Sequence, residues 1–202
     1  MKSTLFARIG FAATAGLLFS LVTVSAKADT VTLTMNEVPN QPINGLTVTK
    51  GGESFTFSDP IGSLFYNSNG PGTRTFVQDP TIQGPLQSFS VAFSVAVTSI
   101  QFGLAELAIV PLTGAQVTLS SGDTFLFNLS LVDPFAEGQF THSGSPVTSF
   151  TLTPAPGAFA LAFDNLTVTP VPGPNVGAGL SGLILAGGIL LLLARRRRQQ
   201  TA

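Results

Sequence analysis

Apolar and polar residues alternate along most of the chain between residues 29 and 169. Val31, Leu33 and Met35 alternate with Thr and Asn, and Leu46 with Val48 and Phe55 with Phe57 repeat the pattern. Phe89, Val91, Phe93, Val95 and Val97 form a long odd-numbered face; Ile100, Phe102 and Leu104 continue it on even numbers, so the phase slips near Thr98-Ser99. Val117 and Leu119, Phe125 to Leu131, Phe150 and Leu152, and Phe159, Leu161 and Phe163 follow. A period of two over short runs rich in Thr, Val and Phe marks strands with one buried face. Asn40-Gln-Pro, Gly51-Gly52, Asp59-Pro60, Asn67–Gly72, Gly84-Pro85, Ser121-Gly122-Asp123, Asp133-Pro134, Gly144-Ser-Pro146 and Pro154–Gly157 supply turn signals between them. Leu104–Val110 has the length of a helical turn, but Pro111 and the β-branched residues favour strand or loop. The runs amount to about ten strands, too many for one open sheet to bury its Phe face and its edges. An all-β fold is expected: an antiparallel β-sandwich of jelly-roll type.

Two stretches break the alternation, one at each end. In Met1–Ala28, Lys2 and Arg8 precede the apolar run Ile9–Val22, and Ala26-Lys27-Ala28 gives a small-x-small cleavage pattern. This reads as a secretory signal peptide cut by signal peptidase to leave Asp29 first, with a retained anchor as the alternative. Near the other end, Val176–Ala194 is uncharged throughout. As a helix it reaches ~28 Å, just enough for a hydrocarbon core of about 30 Å. Being apolar all round, it argues for lipid rather than for a protein core. Arg195, Arg196, Arg197 and Arg198 would hold its end in the cytoplasm. Only Gln199–Ala202 follow, so the bulk of the protein is expected across the membrane. Ala178, Gly182 and Ala186 form a small-xxx-small ridge along the span, suited to close docking of a helix or simply to the small-residue content of spans. The expected organisation is signal peptide 1–28, β-sandwich passenger 29–169 and C-terminal signal 170–202.

That last segment carries Val171-Pro172-Gly173-Pro174, then Gly177-Ala178-Gly179-Leu180-Ser181-Gly182-Leu183, the apolar run and the arginine cluster. It resembles the PEP-CTERM sorting signals of Gram-negative bacteria. Gly173 stands where the eponymous triplet has Glu, as in a Val-Pro-Gly-Pro variant, and Ser181 where many variants carry another proline. The resemblance covers roughly the last thirty residues. It implies recognition by an exosortase, processing near Pro172–Pro174, an inner-membrane intermediate, and delivery to the cell surface or an exopolysaccharide matrix. A plain anchor that is never cut is the alternative; it needs no proline-glycine motif at its outer edge. Gly45–Phe57, Ser88–Gly103 and Val147–Val168 also resemble, by pattern, the jelly-roll passengers that such proteins carry.

Charge changes the picture of the passenger. Seven of the nine basic residues lie in the two ends, leaving Lys50 and Arg74 against all ten acids, a formal −8 where the whole chain reads −1. Nucleic acid and anionic lipid are poor partners for such a domain. With no cysteine, disulfides, thiolate catalysis and Cys-based zinc sites are excluded. One His, one Tyr and no Trp leave a thin catalytic inventory. No Gly-x-Ser-x-Gly elbow surrounds a serine, and His142 has no second His for a metal pair, so it reads as a loop or edge residue. A carboxylate pair for glycoside hydrolysis cannot be picked from ten scattered acids. The sequons Asn128-Leu-Ser130 and Asn165-Leu-Thr167 fall within apparent strands.

Two candidate sites remain. Leu166 and Val168 break phase with Phe159–Phe163, so a β-bulge is expected at Asp164-Asn165. Those poor strand residues either bond to backbone across the bulge or ligate calcium, which takes oxygen ligands. Jelly-roll carbohydrate-binding modules hold a structural calcium between an acid near the first strand and one on the last; Glu37 and Asp164 are the positions here that resemble that pair. Tyr66, beside the loop Asn67–Arg74, and Arg74 make a small candidate patch for stacking on and hydrogen bonding to sugar, set against a Tyr66 that fills a sheet edge with its hydroxyl in water. The expectation is a non-enzymatic exported surface or matrix protein, without cofactor beyond that calcium. Its alternatives are a calcium-stabilised carbohydrate-binding module, a permanently anchored adhesin and a polysaccharide hydrolase.

Overall fold

The computed structural model describes residues 29–108, 111–132 and 134–172. Ala26, Ala28, Gly173, Pro174, the apolar span and Arg195–Arg198 lie outside them, with everything expected of those residues. Among the described residues eleven strands form: β1 (Val31–Leu33), β2 (Gln41–Pro42), β3 (Thr47–Lys50), β4 (Glu53–Ser58), β5 (Phe65–Ser68), β6 (Thr81–Pro85), β7 (Phe89–Leu107), β8 (Leu112–Leu119), β9 (Thr124–Val132), β10 (Phe135–Thr153) and β11 (Ala160–Pro170). Every pairing is antiparallel, and no helix among the described residues is long and apolar enough to cross a membrane.

Two strands of nineteen residues, β7 and β10, set the architecture. The first part of β7 pairs with β4 and with the end of β10, which also takes β8; β3 and β9 extend this wing. The second part of β7 pairs with the start of β10 and with β11, and β6, β5, β2 and β1 complete a second wing. One hydrogen-bonded sheet thus bends into two wings, consistent with the expected sandwich. The bend coincides with the phase slip: pairing jumps from Ser99↔Ser143 to Val97↔Val147. Gly144-Ser-Pro146, read as a turn, is instead an irregularity within β10, because the strand bends there without reversing. Val95, expected inward, is 45% exposed. Its N–H turns to the buried Glu53 carboxylate (3.2 Å), which also accepts the Ser94 hydroxyl (2.9 Å), so an acid caps the kink.

Phenylalanines from both wings meet in the core. Phe102 stacks on Phe140 (5.1 Å between centroids) and Phe150 (5.3 Å) and tilts against Phe163 (4.9 Å), while Phe89 meets Phe163 edge-on at 5.2 Å. Each ring buries a large apolar area, and the offset and edge contacts add to it. Phe159 is not part of this face: it precedes β11 and is 63% exposed. Strands β2, β5 and β6 fall in a stretch rich in turn signals. Their pairing comes from partners distant in sequence, which local composition does not register.

The ends of the domain meet. Val31 pairs with Val168, the Thr32 and Thr167 hydroxyls lie 2.9 Å apart, and the Val171 N–H donates to the Ala96 carbonyl (2.8 Å). β11 runs to Pro170, one residue past the expected boundary.

Candidate functional site

The long connection between β5 and β6 lies as a strap on the second wing. Strand register puts Glu137, Ala105 and Ala162 in one row and Gln139, Gly103 and Asp164 in the next. Alternate residues share a face, so these six point away from the Phe core. Small residues make a trough there. Val77 of the strap buries against Ala105 and Ala162 with Phe135 alongside, and a side chain at Gly103 would collide with the Phe76 carbonyl.

Carboxylates fasten the strap on both sides. Glu137 Oε2 accepts the N–H groups of Thr75 (3.0 Å) and Phe76 (3.1 Å), and Asp164 Oδ2 accepts that of Gln78 (3.0 Å). Asp79, within the strap, accepts the N–H groups of Gly70 (2.8 Å) and Gly72 (3.1 Å). Buried N–H groups must find acceptors, and irregular chain has no ladder to offer them. The bulge on β11 falls where phase predicted it: three residues, Asp164 to Thr167, advance the register that Gly103 to Gln101 advances in two. Asn165 takes φ 54° and donates to the Phe76 carbonyl at 3.4 Å. The bulge therefore aims both polar side chains at the strap. Burial, with the charges of Glu37 and Asp79 nearby, raises the Asp164 carboxyl to about 6.

Glu37 anchors a second node. Its Oε1 accepts the Lys50 ammonium (2.7 Å) and the Thr34 N–H (2.9 Å), and its Oε2 the Tyr66 hydroxyl (2.5 Å). Burial opposes its charge, but these donors outweigh it and hold the carboxyl down at about 2. Burial and this carboxylate together push the Tyr66 phenol well above its ordinary value.

The same placements locate the residues of the expected ligand sites, and they change the picture of Tyr66. Tyr66 is fully buried, edge-on to Phe57 at 5.8 Å, with no ring face for a sugar and no hydroxyl in water. Arg74 covers the Phe135 ring at 4.5 Å and donates to the Val132 (2.8 Å) and Pro71 (3.1 Å) carbonyls, so it also serves the strap. Both oxygens of Glu37 are engaged, and no set of three or more His, Cys, Asp or Glu among the described residues gathers to hold a metal. A calcium shared by Glu37 and Asp164 would have to displace these donors from Glu37. His142 stands on β10 with its ring 5.0 Å from Phe125.

Four acids that the pattern did not single out do the same work as Asp164. Glu53, Asp59, Glu106 and Glu137 are all buried. Asp59 holds the N–H groups of Ile61 and Leu64 and the Gln87 amide, and Glu106 holds that of Ala155. Burial raises Glu106 to about 7. The available signal was an acid at an inward or covered position of an alternating run, as Glu106 is beside Leu104.

No family model and no curated protein matches the chain. Solved structures of family 29 carbohydrate-binding modules overlap it loosely. An arginine-to-alanine mutant of CBM29-2 gives TM-score 0.34 and 11% identity over 65% of this chain and 92% of that one. A lysine-to-alanine mutant complexed with cellulohexaose gives 0.30 and 14% over 69% and 91%, and a glutamate-to-arginine mutant of a family 29 module 0.29 and 12% over 70% and 92%. Overlaps of that size leave the function to be argued from the chain's own residues.

Proposed function

We propose that this chain is an exported, non-enzymatic domain of jelly-roll type, delivered to the cell surface or extracellular matrix and associated there with exopolysaccharide. Signal peptidase removes residues 1–28, and an exosortase, acting on the inner-membrane intermediate, processes the tail near Pro172–Pro174. The pairing of β1 with β11 carries this reading. It puts the first and last strands of the described domain side by side at one edge, the arrangement that a domain trimmed at both ends would need. The carboxylates support the non-enzymatic part. Seven of the ten acids accept backbone N–H groups, which engages in folding the side chains that a glycoside hydrolase would need as acid and base.

Intact mass of the protein from its native host, with and without the host's exosortase, tests the proposal. A chain beginning at Asp29 and ending near Pro172–Pro174 only when the exosortase is present is the expected result. A chain still ending at Ala202 in both strains would make it a permanently anchored adhesin with the same domain.

A further inference from the structure

Among the described residues, the outer face of the first wing carries no strap. Its outward positions on β3, β4, the first part of β7, the end of β10, β8 and β9 hold no acidic or basic side chain, although the passenger reads −8 overall. Register aligns Ser58, Ser90, Thr151, Thr118 and Thr124 in one row across five strands. At about 4.8 Å per strand, the row is ~19 Å long. Its hydroxyls pair across strands, Ser90 with Thr151 at 2.8 Å and Thr118 with Thr124 at 3.3 Å; beside it, Thr47 and Thr56 pair at 3.0 Å.

From this row we infer that the face is a docking surface for a neutral polysaccharide lying across the strands. A hydroxyl carries one donor and two acceptor lone pairs, so a bonded pair keeps one O–H and several lone pairs for a third party. That is the complement of a sugar hydroxyl, which also both donates and accepts. A neutral polyol docks here without stripping water from any charge, whereas an anionic polymer meets the field of a −8 domain. The inference rests on the exported, matrix-associated reading, and names the surface by which the domain makes contact.

The test is native affinity electrophoresis of the full chain in mild detergent, in gels containing hydroxyethyl cellulose, dextran or galactomannan, with alginate as the anionic control. At least one neutral polymer should retard the protein, and about 0.5 M NaCl should leave the effect unchanged, since no ion pair is involved. The triple variant Ser90→Ala, Thr118→Val, Thr151→Val should weaken retardation about tenfold or more, while the matched pair Thr32→Val, Thr167→Val on the second wing should keep it. Four results would each overturn the inference. They are no retardation by any neutral polymer, equal retardation of the triple variant, retardation by alginate that salt abolishes, and self-association in sedimentation that the triple variant removes. The last would assign the face to a second copy of the chain. Retardation is read whatever the host does to the tail, so this result and the mass measurement stand or fall separately.

Discussion

The two outer faces of the bent sheet share β7 and β10 yet are finished differently. On the second wing the backbone of the strap is laid over the strands, and Glu137 and Asp164, both nearly inaccessible, hold its N–H groups. On the first wing no described segment is laid over the strands, and Ser and Thr hydroxyls pair with one another. The difference shows what the acids are for. Irregular backbone brought onto a sheet needs strong acceptors, and an ionised carboxylate accepts two or more donors more strongly than a neutral oxygen does. A regular sheet facing water needs none. The negative charge of the domain is thus largely a by-product of tying down loops and kinks, and the open face is left neutral.

Removing a clasp should produce the largest effect. Glu137→Ala leaves the Thr75 and Phe76 N–H groups without their acceptor and opens a gap under the strap. Each such orphaned donor costs about 1–3 kcal/mol, so a loss of roughly 2–4 kcal/mol in urea unfolding is expected. Protease cutting confined to residues 69–80 should accompany it. A loss below about 0.5 kcal/mol would mean that water serves these groups as well as the carboxylate does.

This division was only half legible in the sequence. The Phe core was, because alternation is local: Phe89, Phe102, Phe150 and Phe163 announce their faces through their immediate neighbours. So was the bulge at Asp164, since a single extra residue flips every side chain after it. The strap was not. Gly103, Ala105 and Ala162 read as weak strand residues until β7 and β11 are known to be adjacent, and only then do they form a trough. Tyr66 misled for a related reason: the partner of its buried hydroxyl, Glu37, is twenty-nine residues away in sequence, with β2, β3 and β4 between them. The open face was legible as polar strand positions, but their alignment into rows required register.

Solution pH should break the comparison next. Glu106, raised from 4.5 to about 7, and Asp164, raised from 3.8 to about 6, keep their protons in the folded chain after the unfolded chain has released them. Stability from these groups is therefore complete below their ordinary values and falls as pH rises through the interval up to about 7. Glu37, lowered to about 2, works the other way, fading as pH drops from 4.5 towards 2. The melting temperature should peak near pH 4–5 and decline by several degrees towards pH 8, for a change of about 1–3 kcal/mol. Glu106→Gln should flatten about half of the decline, the rest belonging to Asp164; a curve that rises from pH 5 to 8 in the parent chain would contradict it.

A smaller and opposite effect is expected at the other clasp. Asp164 uses Oδ2 for Gln78 but leaves Oδ1 buried without a partner among the described residues. Asp164→Asn keeps one acceptor for the strap and removes a charge that burial penalises. It should be neutral or stabilising by up to about 1 kcal/mol at pH 8, with no gain at pH 4, where the native carboxyl is already protonated. Calcium should not substitute for it: the melting temperature in calcium and in chelator should agree within about 1 °C.

The open face should respond least. Thr151→Val and Thr118→Val each remove a hydroxyl whose partner remains within reach of water, and Val suits a strand as well as Thr does. Each should change stability by no more than about 0.5 kcal/mol, as surface substitutions away from buried polar groups usually do. The contrast with Glu137→Ala is the point of the measurement. Were the row of hydroxyls needed to hold the wing together, these two would cost as much as the clasp, and the face would be a structural seam. A near-zero cost leaves the hydroxyls free of any folding role, and available to a partner that offers hydroxyls in return.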